Sequence, residues 1–404
     1  MGNYVYCCRE CGRTYGRDEV RYLCPDCGPR YRPGQPLVGV LEAVFDYKLI
    51  AKRFDKSKPE WRLFSAVEPK YYPNFPVGGT PFFKVERLGR EVGLKNLWIK
   101  NDGLNPSGSL KDRASFLVVA EANRIGDKQI VTASTGNAAS ALAAVCAAAG
   151  KKAIIFVPKN APKAKLVQIL LYGAKVILVD GTYDDAFKLS LEYTEKRGGL
   201  NRNTAYHPLT IEGKKTVALE IWAQNDFKAP DAVVVPVGDG VIISGVYKGF
   251  WDLKQAGLIK QIPRLACVQA KTSDAIHKYI MTGKYRNAVK PSTTADSISV
   301  SAPSNAHMAR RAVLDSKGFS LTVSDREILA AQALVARTTG IFSEPAASAA
   351  AAGLVKISKA NTLGKNAQIV LLVTGHGLKD IDTPLAGLKL PRPIQPILSA
   401  VKGT

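Results

Sequence analysis

The stretch NPSGSLKDRAS, residues 105–115, sets one lysine, Lys111, behind small and hydroxylated residues and directly before an Asp-Arg pair. It follows the apolar run LWIK (97–100), which places Lys111 at the start of a helix. The free amides of a helix start make a positive environment that eases loss of an ammonium proton, and a neutral amine can bond covalently to a carbonyl carbon. Three more loops follow apolar runs in the same way. QIVTAS (129–134) leads into Ser134, Thr135, Gly136 and Asn137, a nest of amides and hydroxyls suited to a carboxylate, with a side-chain amide that can donate to an oxygen anion. AVVVPVG (232–238) leads into GDGVIISG, where Gly238 and Gly240 meet a helix N-terminus and form a cradle for a phosphate dianion. IVLLVTG (369–375) delivers Thr374, Gly375, His376 and Gly377, with His376 read as a structural hydrogen-bonder rather than a catalyst.

The elements that must position these loops alternate. The four runs above, together with AIIFVP (153–158), KVILVD (175–180) and LACVQA (265–270), are continuously apolar, as strands buried on both faces are. Between them, NAASALAAVCAAAG, APKAKLVQILLYG, VIISGVYKGFWDLKQAG, REILAAQALVARTTG and EPAASAAAAGLVKISKA carry apolar residues at helical spacing. This order predicts parallel sheets with helices on both faces, and in such sheets ligands gather at the carboxyl ends of the strands. Residues 29–80 are rich in proline and aromatics and read as a connector, with a helix expected at AVFDYKLIAKRF (43–54).

Converging there, the four loops call for one ligand carrying an aldehyde for Lys111, an ionised hydroxyl for Asn137, a phosphate for the glycine loop and a ring nitrogen for Thr374. Pyridoxal 5'-phosphate carries all four. A threonine rather than an acid at the ring nitrogen leaves that nitrogen unprotonated, which favours elimination and replacement over transamination.

The totals bound the rest. A chain of 404 residues should hold two or three units, and 46% hydrophobic with 22% charged residues is ordinary globular composition. No apolar run approaches the ~18 residues that span a bilayer, and MGNYVYCC lacks a secretory pattern, so a soluble, cytoplasmic protein is expected. Lys and Arg total 56 against 34 acidic residues, a net charge of +22 that would attract phosphorylated metabolites or nucleic acid, but the basic residues are dispersed. Of seven cysteines, Cys146 and Cys267 sit in apolar segments as small hydrophobes. The pairs Cys8-x2-Cys11 and Cys24-x2-Cys27 have close to the spacing of a tetrahedral zinc ribbon, with Cys7 left over or competing with Cys8.

At these motifs the chain resembles the threonine synthases of the fold-type II pyridoxal phosphate group: the ribbon-like head, NPSGSLKDR, ASTGNAAS, VPVGDGVIISGVYKGF, GIFSEPAASAAAAGL and VTGHGLKD. The resemblance covers nearly the whole length. It implies an α/β fold of the tryptophan-synthase-β-like kind. Residues 1–35 would be the zinc-ribbon-like head, 36–100 a connector and the start of the large domain, 101–220 a small α/β domain, 221–382 the large α/β domain and 383–404 a C-terminal arm. It implies pyridoxal phosphate on Lys111, with Asn137 at the cofactor's 3'-hydroxyl, Gly238, Asp239, Gly240, Val241 and Ile242 at its phosphate, and Thr374 at its ring nitrogen. Ser107, Ser134, Thr135, Gly136 and Asn137 would bind substrate, Cys8, Cys11, Cys24 and Cys27 a structural zinc ion, and the chain would form a homodimer. The implied reaction is that of a carbon-oxygen lyase in threonine biosynthesis, turning O-phospho-L-homoserine and water into L-threonine and phosphate, with Lys111 moving the α- and β-protons.

Two positions depart from that pattern. Ala205 and Thr210 stand where a serine and an arginine are expected to hold the substrate's phosphate, which removes a bidentate clamp. Asp239 sits in the cradle, where its carboxylate must point away from a phosphate or be held by a cation. Lys163, Lys165, Lys214 and Lys215 are alternative cations, though each reads as a solvated surface lysine. The competing readings are a related enzyme acting on O-phosphoserine, serine or threonine by β-replacement or deamination, and a zinc-ribbon nucleic-acid-binding protein. The second leaves Lys111, STGN and the glycine cradle without a reason to occur together.

Overall fold

The computed structural model describes residues 4–57, 61–134, 136–159, 163–386, 388, 390–391, 393–397 and 401. Six of the seven continuously apolar runs form inner strands of two sheets. The larger has the order β12 (Phe319–Val323), β11 (Arg264–Ala270), β10 (Ala232–Pro236), β13 (Ile369–Val373), β5 (Leu97–Asn101), β4 (Phe82–Lys84). All its pairings are parallel except β4 on β5 at one edge. The smaller has the order β8 (Lys175–Val179), β7 (Lys152–Pro158), β6 (Gln129–Ala133), β9 (Leu200–Asn201), all parallel. Every residue of β10 and β13 is buried, as helices on both faces of a parallel sheet require. β8 differs from expectation: Leu178 is 58% exposed, because this strand lies at the edge of its sheet.

The alanine-rich helix Pro345–Lys359 lies close against the larger sheet; a Cβ at its Gly353 would come within 2.4 Å of Val268 on β11. Small side chains there let the helix backbone approach the strands, so packing rather than bulk fills that layer.

The cysteine-rich segment makes a third, antiparallel sheet in the order β2 (Thr14–Tyr15), β1 (Tyr4–Cys8), β3 (Leu41–Phe45). Its third strand comes from beyond residue 35 and overturns part of the helix expected at 43–54. Ala43, Val44 and Phe45 pair with Tyr6, Val5 and Tyr4, and the helix begins only at Tyr47, where the Asp46 side chain caps it by accepting from Leu49 N at 2.9 Å. Among the described residues no helix is long and apolar enough to cross a membrane.

The chain leaves the larger sheet after β5 through the helix Lys111–Ile125, builds the smaller sheet, and returns through the helix Leu209–Gln224 to β10. The loops after β5, β6, β10 and β13 all leave carboxyl ends of strands, and this connectivity brings them to one cavity between the sheets.

Candidate active site

β5 and β13 pair in parallel from Leu97 with Ile369 to Asn101 with Val373, so the loops that leave them are neighbours. Leu110 N donates to Thr374 O at 2.9 Å and His376 N donates to Gly108 O at 3.0 Å, which joins the Lys111 loop to the Thr374 loop through their backbones. Behind Lys111, Arg113 donates through Nε and Nη2 to the two oxygens of fully buried Asp102 at 2.6 and 2.9 Å, and through Nη1 to Glu220 at 2.6 Å. Asp112 accepts from the Ser107 amide at 2.7 Å and from the Ser107 hydroxyl. The Asp-Arg pair after Lys111 is therefore a set of anchors that fixes the loop's path.

A cavity of about 450 Å³ is lined by Lys111, Ser134, Gly136, Asn137, the whole of 238–242 and Thr374. Residues from all four loops read from the sequence meet on its wall. Thr135 lies outside the described residues. Ser107 is not on that wall; its hydroxyl is held by Asp112, and Lys379 Nζ donates to its carbonyl at 2.8 Å. His376 is not on the wall either. Its Nδ1 accepts from Leu378 N at 3.2 Å and caps the turn at Gly377–Lys379, the structural role expected of it.

The glycine loop has the chemistry of an anion cradle. The helix Val241–Gln255 begins without any side-chain cap, leaving its first amides for a ligand. Gly240 has φ +91°, and a Cβ there would come within 2.9 Å of both Asn305 O and Ala309 Cβ, so the turn requires glycine. An amine, a side-chain amide, uncapped amides and a hydroxyl on one wall are the donor set that pyridoxal phosphate needs, and the cavity is of a size that holds it. Asn137 Nδ2 donates to Glu344 at 3.0 and 2.8 Å; this buried carboxylate, beside Gly375, went unnoticed in the sequence because SEP reads as an ordinary helix start.

Asp239 is held not by a cation but by Ser304, whose amide and hydroxyl donate to it at 2.6 and 2.7 Å. Burial raises its carboxyl to about 6, against the lowering effect of the Ser304 bonds and of Lys214. Its negative charge is thus present above about pH 6 and lost below. Asp239→Asn should bind a phosphate-bearing cofactor more tightly than the wild type at about pH 8 and equally well at about pH 5, read by titrating the apoprotein with pyridoxal phosphate. Equal affinities at both pH values would show that Ser304 already neutralises the site.

The alternative cations divide. The side chains of Lys163 and Lys165 lie outside the described residues. Lys214 and Lys215, expected at the surface, are both buried, because the helix Leu209–Gln224 is packed on all sides. Lys215 is paired with Glu212 and with Asp252 at 2.8 Å, but Lys214 lines the cavity. Burial, with Arg202 and Lys111 as neighbouring positive charges, pushes the Lys214 ammonium well below the ordinary lysine range. Ala205 is in the core, and the Thr210 hydroxyl donates to Thr204 O and, at 2.9 Å, to His207 O, so neither faces the cavity. Arg202 does face it, and so does Thr204. The signal for Arg202 was present as an arginine just after a short strand, but NRNTAYH has no periodicity that would mark it.

The Sγ atoms of Cys8, Cys11, Cys24 and Cys27 all lie within 4.8 Å of one another, and those of Cys11 and Cys24 are 3.8 Å apart. Zinc–sulfur bonds of about 2.3 Å give a tetrahedron with edges of about 3.8 Å, so the donor set fits a zinc ion. Cys7 stands apart, its Sγ donating to Cys8 O and Gly12 O. The head also reaches the cavity: Cys24 N donates to Gly39 O at 2.8 Å, Leu37 N donates to Ser304 O at 2.8 Å, and Tyr31, Gly34 and Gln35 form part of the cavity wall.

Comparison with known proteins agrees with this geometry. The family model for pyridoxal-phosphate dependent enzymes matches residues 74–375. The chain is 36% identical over 412 residues to a threonine synthase of Methanocaldococcus jannaschii, covering 98% of each chain. It is likewise 36% identical over 405 residues to one of Methanosarcina acetivorans, covering 98% of this chain and 97% of that one. Among solved structures, threonine deaminase isoform 2 from Solanum lycopersicum superposes with a TM-score of 0.64 at 24% identity, covering 74% of this chain and 79% of its own. Maize serine racemase superposes with a TM-score of 0.66 at 24% identity, covering 76% and 91%. These two likenesses concern the fold.

Proposed function

We propose that this chain, which belongs to the pyridoxal-phosphate-dependent enzymes and within them to the threonine synthases, converts O-phospho-L-homoserine and water to L-threonine and phosphate. The observation that carries this reading is the meeting of Lys111, Ser134, Gly136, Asn137, the 238–242 loop and Thr374 on one cavity wall. Pyridoxal phosphate, when bound, supplies the electron sink that lets the substrate's α- and β-carbons release protons. Ser134, Gly136 and Asn137 would hold the substrate carboxylate. The Asn137 amide would donate to the cofactor's ionised hydroxyl, the uncapped amides of 241–243 would hold its phosphate, and Thr374 would face its ring nitrogen, leaving it unprotonated. Lys111 would hold the cofactor, take the α-proton and move the β-proton to the γ-carbon, which becomes the methyl group of threonine. Phosphate departs from the γ-carbon and water adds at the β-carbon.

Phosphate release from O-phosphohomoserine and O-phosphoserine, and ammonia release from serine and threonine, with the organic product identified in each case, tests this reading. Threonine should form from the first alone; turnover of O-phosphoserine or deamination of serine or threonine in its place would assign the chain to another reaction.

The four cysteines are read as a structural zinc site. Metal removal should release the knuckle at Gly39 and, through Leu37 and Ser304, disturb the wall at Tyr31–Gln35. The expected result of chelation is faster proteolysis before residue 45 and a raised KM, with the cofactor retained. An unchanged proteolysis pattern would show that the head needs no metal. The reading includes a cytoplasmic homodimer, for which the exposed apolar Leu388, Leu390, Ile394 and Ile397 of the C-terminal arm offer a surface; sedimentation at the mass of one chain would contradict it.

A further inference from the structure

Behind the cavity wall sits a carboxylate that the proposed reaction leaves without a role. Glu344 is 3% exposed, and its two oxygens accept from a single nitrogen, Asn137 Nδ2, at 3.0 and 2.8 Å. Its own amide donates to Gly375 O at 3.0 Å, and a Cβ at Gly375 would come within 2.1 Å of Glu344 Oε1. The carboxylate thus touches Asn137 on one side and the backbone just after Thr374 on the other. A buried carboxylate is costly unless a cation or several donors meet it; among the described residues the hydrogen bonds this one accepts come from that one amide. The consequence falls on Asn137, whose side chain has a donor end and an acceptor end of nearly the same shape. An ionised carboxylate only accepts, so Glu344 fixes the nitrogen end toward itself. That nitrogen carries two hydrogens. One goes to Glu344, and the other is left for the cavity, where Ser297 Oγ lies 3.3 Å from the nitrogen. A ligand atom at that point must therefore be an acceptor.

We propose that Glu344 is a positioning residue: by holding the Asn137 amide with its nitrogen turned inward, it presents a hydrogen to the cofactor's 3'-oxygen and keeps that oxygen in its ionised form. The inference rests on the placement of Asn137 proposed above and deepens it. The charge on the 3'-oxygen is part of the cofactor's electronics, which the protein sets through such bonds. Gly375 belongs to the same device, since a side chain there would push the carboxylate off Asn137.

The test uses the cofactor-loaded protein without substrate, so its outcome is independent of which reaction the enzyme runs. The cofactor's visible band reports the ionised oxygen, and its near-ultraviolet band the neutral hydroxyl. Glu344→Met, close in shape and without an acceptor, should lower the ratio of visible to near-ultraviolet absorbance about 3- to 10-fold, the worth of one hydrogen bond. Glu344→Gln keeps one acceptor and should recover part of that ratio. Both variants remove a buried charge without opening a cavity, so the fold should tolerate them, and Glu344→Gln supplies the comparison if Glu344→Met does not fold. Asn137→Ala should lower the ratio by itself, and adding Glu344→Met to it should change nothing further, as a residue that acts only through Asn137 requires. An unchanged ratio in Glu344→Met, where Asn137→Ala shifts it, overturns the proposal and leaves Asn137 in its place. A rise in the ratio, or a further shift on top of Asn137→Ala, also overturns it, because the carboxylate would then act on the cofactor directly. If Asn137→Ala leaves the ratio unchanged, the placement of Asn137 fails and the proposal with it.

Discussion

Lys111→Ala is expected to yield a folded protein without threonine-forming activity and without the visible absorbance of a lysine-bound cofactor. Loss of proton transfer alone lowers rates by about 10²- to 10⁴-fold, and loss of the tether adds to it. The fold should tolerate the change. Lys111 is the first residue of its helix, where a cation opposes the helix dipole at a cost of about 0.3–1 kcal/mol, and alanine is the better helix former. The loop is held by Asp112, Arg113 and the backbone bonds to Thr374 and His376. A thermal midpoint equal to or above that of the cofactor-free wild type, with phosphate release at background, is the expected pair of results. Retained turnover would remove Lys111 from the mechanism.

The second large effect is structural. Arg113→Met should destabilise the protein by about 3–5 kcal/mol, because it leaves the fully buried carboxylate of Asp102 without its cation. The loss reaches further, since Arg113 also holds Glu220. Although burial works to raise that carboxyl, Arg113 and then Lys100 lower it to about 2. A depressed carboxyl contributes stability above its unfolded value, near 4.5, that is lost as pH falls toward 2. The wild type should thus lose stability over that range, and Arg113→Met should lose less, having less to lose. Pairing it with Asp102→Asn should recover part of the cost at neutral pH, since no isolated buried charge then remains. Chemical denaturation of the wild type and the two variants checks this; Arg113→Met within about 1 kcal/mol of the wild type would mean that water reaches Asp102.

These effects mark the boundary between what the sequence showed and what it concealed. β10 and β13 were legible because a strand covered on both faces must be apolar throughout, and the loops after them because glycine and hydroxyl residues are needed where backbone approaches a ligand. The head's third strand was not. LEAVF has the composition of either a strand or a helix start, and its pairing with residues 4–8 is set by contacts nearly forty residues away. β9, of two residues, is too short to carry any period. For the same reason Arg202 escaped notice. Lys214 was misjudged for a different reason: EGKKT looks polar, but the helix Leu209–Gln224 is packed between Lys111–Ile125 and Val241–Gln255. Gly213 touches the backbone of Arg113, and Gly245 and Gly249 touch the backbone around Lys215. Three glycines spaced for close contact between helices were the sign that its lysines would be buried. Ser107, a hydroxyl four residues before Lys111, donates to Asp112 and so helps fix the loop, a role its position alone does not reveal.

The presence of two lysines on one cavity wall, Lys214 buried and Lys111 half-buried, sets the most direct test. Lys214 has the environment that keeps an amine neutral, so burial by itself would favour it as the cofactor's attachment point; position at the joined β5 and β13 loops favours Lys111. Borohydride reduction of the cofactor-loaded protein, followed by digestion and mass spectrometry, decides between them. The pyridoxyl group should be found on Lys111. Finding it on Lys214, or finding no modified lysine, would contradict the account.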